Sequence, residues 1–140
     1  MIRYTKIPNN IELLLPKAIS FLQSRDDIAF AYLFGSLGKD RRTPLSDVDL
    51  AGYFYDTKNL GEKRMEMIGM LSACLETDEI DFLVLNTTPV FFRMKVLQSR
   101  KVIVDKAPLL RHQFESLTMR EYFDFSIKEK AILERRFLSG

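Results

Sequence analysis

Two aspartates separated by a single residue are the most informative feature of this sequence. Asp47 and Asp49 flank Val48, where hydrophobic residues resume after a polar stretch. Because successive side chains of a β-strand point to opposite faces, both carboxylates project from one face and lie close together. Two such charges repel each other unless a cation lies between them. The pair suits Mg²⁺, which binds one or two carboxylates and keeps sites for the phosphate oxygens of a substrate.

A Gly-Ser pair precedes these aspartates. Gly35 and Ser36 follow the apolar run Ile28 to Phe34, and ten residues separate Ser36 from Asp47. A glycine lets the backbone approach a phosphate closely, its amide and those that follow point at the anion, and the serine hydroxyl adds a donor. The sequence therefore predicts a phosphate site beside the metal site.

Asp81 completes the set if its strand lies beside the strand that carries Asp49. It is the one acid between Ile80 and Phe82, in an otherwise apolar run where a lone carboxylate is costly without a partner. Three acids and a phosphate-binding turn are the ingredients of a metal-assisted displacement, in which an acid draws the proton from an attacking hydroxyl. The alternative is structural: Asp47 caps a turn, Asp49 is merely solvated, and an edge strand exposes Asp81.

The elements that must position these residues alternate between helix and strand. Periodicity and capping residues predict the helices, and runs rich in aromatic and aliphatic residues predict the strands. The first helix either bends at Pro16 or begins near Leu15 with Pro16 in its first turn. The predicted elements are a helix from Asn9 or Asn10 to about Ser24, a strand over Ile28 to Phe34 buried on both faces, a strand near Val48 to Tyr55, a helix over Leu60 to Leu75, a strand over Glu79 to Leu85, a helix from Pro89 to about Gln98, an extended piece over Lys101 to Val104, and a predominantly helical segment over Pro108 to Phe137.

This order predicts an α/β fold, a small mixed sheet with flanking helices, followed by C-terminal helices. The first two strands are joined by only about a dozen residues, which favours antiparallel pairing. Full helices separate the later strands, which favours parallel pairing there. We expect residues 1–140 to form a single domain, with a core over about 10–105 and a helical segment over about 108–138.

Composition excludes several other classes of protein. The 140 residues carry a net charge of +2, too small to indicate nucleic-acid binding over the whole surface. The apolar stretches are shorter than the roughly 20 residues that cross a bilayer, and no apolar signal core begins the chain, so we expect a cytoplasmic protein without membrane contact. The single cysteine, Cys74, and the single histidine, His112, exclude an internal disulfide and a histidine-rich metal site.

The complete pattern resembles the signature of the DNA polymerase β type nucleotidyltransferase superfamily. The residues that carry the resemblance are Gly35-Ser36, Asp47-x-Asp49 and the later strand acid Asp81. The run from Asp81 to Pro89, with Phe92-Arg93 and Val104 after it, is similar to the minimal nucleotidyltransferase (MNT) antitoxins, which pair with HEPN ribonuclease toxins.

The resemblance implies a role for each of these residues. Gly35 and Ser36 would hold the triphosphate tail, Asp47 and Asp49 would ligate Mg²⁺, and Asp81 would help to bind the metal and activate the incoming hydroxyl. The implied activity is the transfer of AMP from ATP to a tyrosine of the toxin, which silences it. Nothing in spacing or composition selects ATP over another nucleoside triphosphate.

Three functions stay open at this level. Polymerases and tRNA-tailing enzymes of the superfamily carry extra domains that grip a nucleic acid, and this chain has no room for one, so we expect no direct nucleic-acid substrate. The acceptor is then a partner protein, as in an MNT antitoxin, or a small molecule such as an aminoglycoside. A third alternative is a slow or inactive antitoxin that neutralises its partner by binding.

Two further groups of residues have open roles. The basic side chains could contact phosphates or simply be solvated, and the apolar side chains of the C-terminal segment could form core or a partner surface. The basic residues are Lys39, Arg41, Arg42, Arg93 and Lys95, and the C-terminal ones include Phe114, Leu117, Met119, Tyr122, Phe123, Phe125, Ile127, Ile132, Leu133, Phe137 and Leu138.

Overall fold

The computed structural model of the protein describes residues 11–35 and 48–138. In chain order the elements are α1 (Ile11–Ser24), β1 (Ile28–Phe34), β2 (Val48–Phe54), α2 (Leu60–Leu75), β3 (Ile80–Val84), α3 (Val90–Gln98), β4 (Lys101–Asp105) and α4 (Pro108–Leu138). In the described residues β2 follows β1 directly; otherwise helices and strands alternate up to the fourth strand, and a long helix follows.

The four strands form one mixed sheet in the order β3-β2-β1-β4. β1 pairs antiparallel with both of its neighbours, and β2 pairs parallel with β3. The central strand β1 is buried along nearly its whole length, as its continuous apolar run predicts. The α/β class and the mixed sheet with flanking helices are thus confirmed.

Helices cover both faces of the sheet, and alternation along β2 shows which side chains face which layer. Val48 and Leu50 belong to the core cluster that α1 and α2 close, together with Phe82 of β3. Ala51 belongs to the second cluster, which α3 and α4 close, and Tyr53 packs against it. Asp49 lies between Val48 and Leu50 in the strand, so its side chain points to the face that α3 and α4 partly cover.

The predicted elements agree with the observed ones to within a few residues at their ends. α1 runs through Pro16 from Ile11, so the alternative in which the helix begins near Leu15 is wrong. The prediction of parallel pairing for the later strands holds for β3 but is wrong for β4, which pairs antiparallel with β1 at the opposite edge of the sheet. α3 connects β3 to β4 across the sheet. The periodicity of the sequence does not indicate at which edge of the sheet a strand pairs. The loop predicted around Gly38 and Pro44 lies outside the described residues.

The C-terminal segment is one continuous helix, α4. Phe114 is buried against the sheet, whereas the apolar side chains farther along α4 are largely exposed to solvent, among them Phe123, Phe125, Ile132 and Leu133. Within residues 11–35 and 48–138, no helix combines the length and the apolar character that crossing a membrane requires.

Candidate active site

Gly35, directly after β1, lies against the carboxylate of Asp49. Its φ of +71° is in the left-handed region, which favours glycine. A Cβ atom placed on Gly35 would lie only 2.5 Å from Oδ2 of Asp49. The absence of a side chain at this position therefore allows the end of β1 and the acid of β2 to approach each other. Gly35 and the Asp49 carboxylate are thus adjacent at the end of β1.

Asp49 and Asp81 are direct neighbours across the parallel β2/β3 pair, where their Cα atoms are in register. Residues paired in this way present their side chains on the same face of a sheet, with the strands about 4.8 Å apart. Both side chains are partly exposed, and that of Asp81 retains 43% of its accessible surface. Two acids are thus adjacent at one end of the sheet and reachable from solvent.

Arg64 of α2 reaches the edge strand β3 and contacts the acid there. Its Nε donates a hydrogen bond of 2.9 Å to the carbonyl oxygen of Phe82, and one Nη lies 3.2 Å from Oδ1 of Asp81. The first contact caps an outward-facing carbonyl of the edge strand, and the second restrains the Asp81 carboxylate. Arg64 therefore places a positive charge beside the candidate metal ligands.

Ser99, at the end of α3, contacts the turn from the other side. The backbone N–H of Gly35 donates a hydrogen bond of 2.9 Å to the Ser99 hydroxyl oxygen. This contact joins the helix that packs on the site face to the residue that adjoins Asp49. Neither Arg64 nor Ser99 belongs to a recognisable motif, because each reaches the site only through the tertiary fold.

The predicted site residues fall into two groups. Gly35, Asp49 and Asp81 lie together, whereas Ser36 and Asp47 lie outside the described residues. Partly exposed carboxylates in register are hard oxygen donors of the kind that Mg²⁺ requires, so the donor chemistry fits that ion. The described ranges alone contain no group of three potential metal ligands, and the third predicted ligand, Asp47, lies outside them.

Only some of the basic residues considered for phosphate contact lie in the described part of the chain. Lys39, Arg41 and Arg42 lie outside the described residues. The guanidinium of Arg93 binds α4 instead: it donates 2.7 Å and 3.3 Å hydrogen bonds to Glu121 and Thr118. It also lies over the ring of Phe114, so the structure gives Arg93 a role in joining α3 to α4.

A buried carboxylate anchors α4 to the sheet on the same face as the acids. Glu115 accepts a 2.7 Å hydrogen bond from the Tyr32 hydroxyl and forms ion pairs with Arg100 and Arg111. Burial, together with this hydrogen bond to Glu115, raises the pKa of the Tyr32 phenol well above its usual value. Tyr32 thus stays protonated, and the cluster fixes α4 against β1, the strand that leads into Gly35.

Comparison with known proteins shows the family of the chain. The model of the family described as polymerase beta, nucleotidyltransferase, matches residues 16–109, which include Gly35, Asp49 and Asp81. No curated protein matches the chain in sequence.

Solved structures share the fold over nearly the whole chain. A toxin-antitoxin complex with AMP-PNP superposes with a TM-score of 0.69 at 22% identity, covering 88% of this chain and 95% of that one. An MNT antitoxin in complex with a tri-AMPylated HEPN toxin from Shewanella oneidensis gives a TM-score of 0.68 at 22% identity, covering 89% and 96%. The MntA-HepT toxin-antitoxin gives 0.63 at 21% identity, covering 91% and 97%.

The match of the family model extends from α1 into the start of α4 and spans the whole sheet. It covers the turn and both described acids. The chain belongs to the polymerase β nucleotidyltransferase family.

Proposed function

We propose that this protein is a Mg²⁺-dependent nucleotidyltransferase that transfers AMP from ATP to a hydroxyl group, a tyrosine, of a HEPN-type toxin and thereby acts as its antitoxin. The observation that carries the proposal is the close approach of Gly35 to Asp49, with Asp81 in register on the next strand. This arrangement supports a phosphate site that begins at Gly35, next to carboxylates suited to a divalent cation.

Each residue has a defined task in the proposed reaction. Asp49 and Asp81, with Asp47, would hold Mg²⁺, which when bound neutralises negative charge on the phosphates. Gly35 and Ser36 would hold the triphosphate tail. The acceptor hydroxyl oxygen forms a bond to the α-phosphorus, the bond from that phosphorus to the pyrophosphate oxygen breaks, and Asp81 takes the hydroxyl proton. The products are an adenylylated protein and pyrophosphate.

Asp81 is suited to its part because one of its oxygens is restrained. One Nη of Arg64 lies 3.2 Å from Oδ1 and restrains the carboxylate of Asp81, whose Cα is in register with that of Asp49. A general base must lie within hydrogen-bond reach of the proton that it accepts, so its orientation matters. The partial exposure of Asp81 leaves access for an acceptor that arrives on another molecule.

The choice of acceptor and nucleotide rests on the structural relatives. One of them is a complex with AMP-PNP, and another holds a HEPN toxin that carries AMP. This chain covers at least 95% of each of those two chains, so the likeness extends over the whole antitoxin subunit. These likenesses support ATP as donor and a HEPN protein as acceptor.

The test uses the intact protein with a HEPN-type toxin, sought first in the reading frame adjacent to its gene. The purified pair is incubated with Mg²⁺ and ATP labelled on the α-phosphate, and modification is followed by the label and by intact mass. We expect the toxin to gain AMP with the wild-type protein and none with Asp49→Asn. Asp124→Asn, an exposed position on α4, is the matched control and should retain full activity.

Two other outcomes would overturn the proposal in distinct ways. If Asp49→Asn protects cells from the toxin as well as the wild-type protein does, and no AMP is incorporated, the protein acts by binding alone. If instead the wild-type protein labels an aminoglycoside with no partner present, it would be a small-molecule nucleotidyltransferase.

A further inference from the structure

The Gly35 turn is held by a contact that the family motif does not include. The Gly35 amide donates to the hydroxyl of Ser99, which is 64 residues farther along the chain. The contact is partly buried, and the donor to acceptor distance of 2.9 Å is that of a well-formed hydrogen bond. One backbone group of the turn is therefore bound to the protein itself and does not face the ligand.

Ser99 is fixed at its own position by the end of α3. It is the C-cap residue of that helix, and its backbone N–H donates to the carbonyl oxygen of Val96. Its hydroxyl also lies 3.5 Å from the carbonyl oxygen of Lys95, to which it can donate. The Ser99 hydroxyl oxygen accepts the hydrogen bond of the Gly35 amide with one of its lone pairs.

The left-handed conformation of Gly35 explains why such an anchor matters. Glycine adopts positive and negative φ about equally well, so the residue that makes room for Asp49 is also free to leave the required conformation. A hydrogen bond to its amide favours the conformation with φ of +71°. In that conformation Gly35 lies against the carboxylate of Asp49.

We infer that Ser99 is a positioning residue, whose hydroxyl holds the Gly35 turn in the conformation that receives the triphosphate of the nucleotide. The inference rests on the proposed function. Because its amide is engaged by Ser99, Gly35 would serve the triphosphate by its close backbone approach and not by that N–H. α3 thus supports the site through its C-terminal end.

The experiment compares Ser99→Ala with Ser99→Thr, which keeps the hydroxyl, and with Ser72→Ala on α2. Ser72 is a partly exposed serine on the opposite face of the sheet and serves as the matched control. The first readout is the exchange rate of the Gly35 amide, measured by NMR without nucleotide. We expect protection in the wild type, Ser99→Thr and Ser72→Ala, and faster exchange in Ser99→Ala.

The second readout is the binding of Mg²⁺ with AMP-PNP by calorimetry. We expect Ser99→Ala to raise the Kd about fivefold, the effect of one neutral hydrogen bond, and Ser99→Thr to restore the wild-type value. Adenosine, which has no phosphates, should bind all variants equally.

The outcomes separate this inference from the proposed function. Unchanged Gly35 exchange and an unchanged Kd in Ser99→Ala, with a wild type that binds AMP-PNP and transfers AMP, would overturn the role of Ser99 alone. A wild type that neither binds the nucleotide nor transfers AMP would overturn both. Weaker binding of adenosine by Ser99→Ala would show a general structural defect and contradict the positioning role.

Discussion

The position that a Cβ atom of Gly35 would occupy is 2.5 Å from Oδ2 of Asp49. Real Cβ atoms do not approach an oxygen so closely, so these two residues are mutually dependent. The Asp49 carboxylate can lie against residue 35 only because that residue has no side chain. The left-handed φ of Gly35 is a second reason for glycine at this position.

Replacement of Gly35 by alanine should therefore damage both the site and the fold. We expect Gly35→Ala to abolish AMP transfer, because the new methyl group displaces the Asp49 carboxylate. In addition, an alanine in the left-handed conformation of residue 35 should lower the free energy of unfolding by about 1–2 kcal/mol. Urea denaturation and the AMP-transfer assay test the two effects separately.

Gly69→Ala is the matched control for this substitution. Gly69 lies within α2, and a Cβ there meets no atom within 4 Å. Alanine should stabilise this helix by about 0.5–1 kcal/mol and leave transfer unchanged. Full activity in Gly35→Ala would contradict the packing of Gly35 against the acid.

Removal of the Asp49 charge should affect turnover and stability differently. Asp49→Asn deletes a proposed metal ligand, so we expect no detectable transfer. We expect the free energy of unfolding without metal to change by less than about 0.5 kcal/mol or to rise, because repulsion from neighbouring Asp81 is relieved. Unfolding of the variant at room temperature, seen by circular dichroism, would mean that Asp49 is structural.

The guanidinium of Arg64 should compete with the metal for Asp81. Arg64→Gln removes a positive charge that lies 3.2 Å from Oδ1 of this proposed ligand. We expect the Mg²⁺ concentration for half-maximal activity to fall a few-fold, since unit charges at 4 Å interact by about 1 kcal/mol even in water. We expect kcat to fall as well, because Asp81 loses its restraint. Arg120→Gln, on the exposed surface of α4, should change neither quantity.

The ion pair between Arg25 and Asp27, just before β1, should make the free energy of unfolding depend on pH. Burial alone would raise the pKa of the Asp27 carboxyl, but the hydrogen bonds and charge of Arg25 outweigh it and lower that pKa below its usual value of 3.8. Stability from this group is therefore present above the ordinary aspartate pKa and is lost as the pH falls through the lowered pKa of the folded state.

Denaturation of the wild type and Asp27→Asn at several pH values checks this sign. The difference in free energy of unfolding between the two should be largest near pH 7 and should shrink toward pH 3. Ser72→Ala, a partly exposed position on α2 that carries no ionisable group, should show no such dependence on pH. A difference that grows on acidification would contradict the assigned direction of the pKa shift.

Much of the fold was predictable because the signals are local. The continuous apolar run of β1 and the periodicity of α2 depend on residues close together in the chain, and both elements lie where they were predicted. The position of β4 was not predictable in this way. A strand that follows a helix can pair at either edge of the sheet, and the choice depends on packing between distant segments.

The sequence by itself determined the chemistry that is available: a glycine that ends a buried strand, and the acids Asp49 and Asp81 at strand positions. Types and spacing of residues suffice for this, because the period of a strand decides which side chains share a face. The tertiary structure alone decided that Asp81 lies in register with Asp49, that Arg64 restrains Asp81, and that Ser99 holds the Gly35 amide. These contacts join segments far apart in the chain, and they exist only after the helices have packed on the sheet.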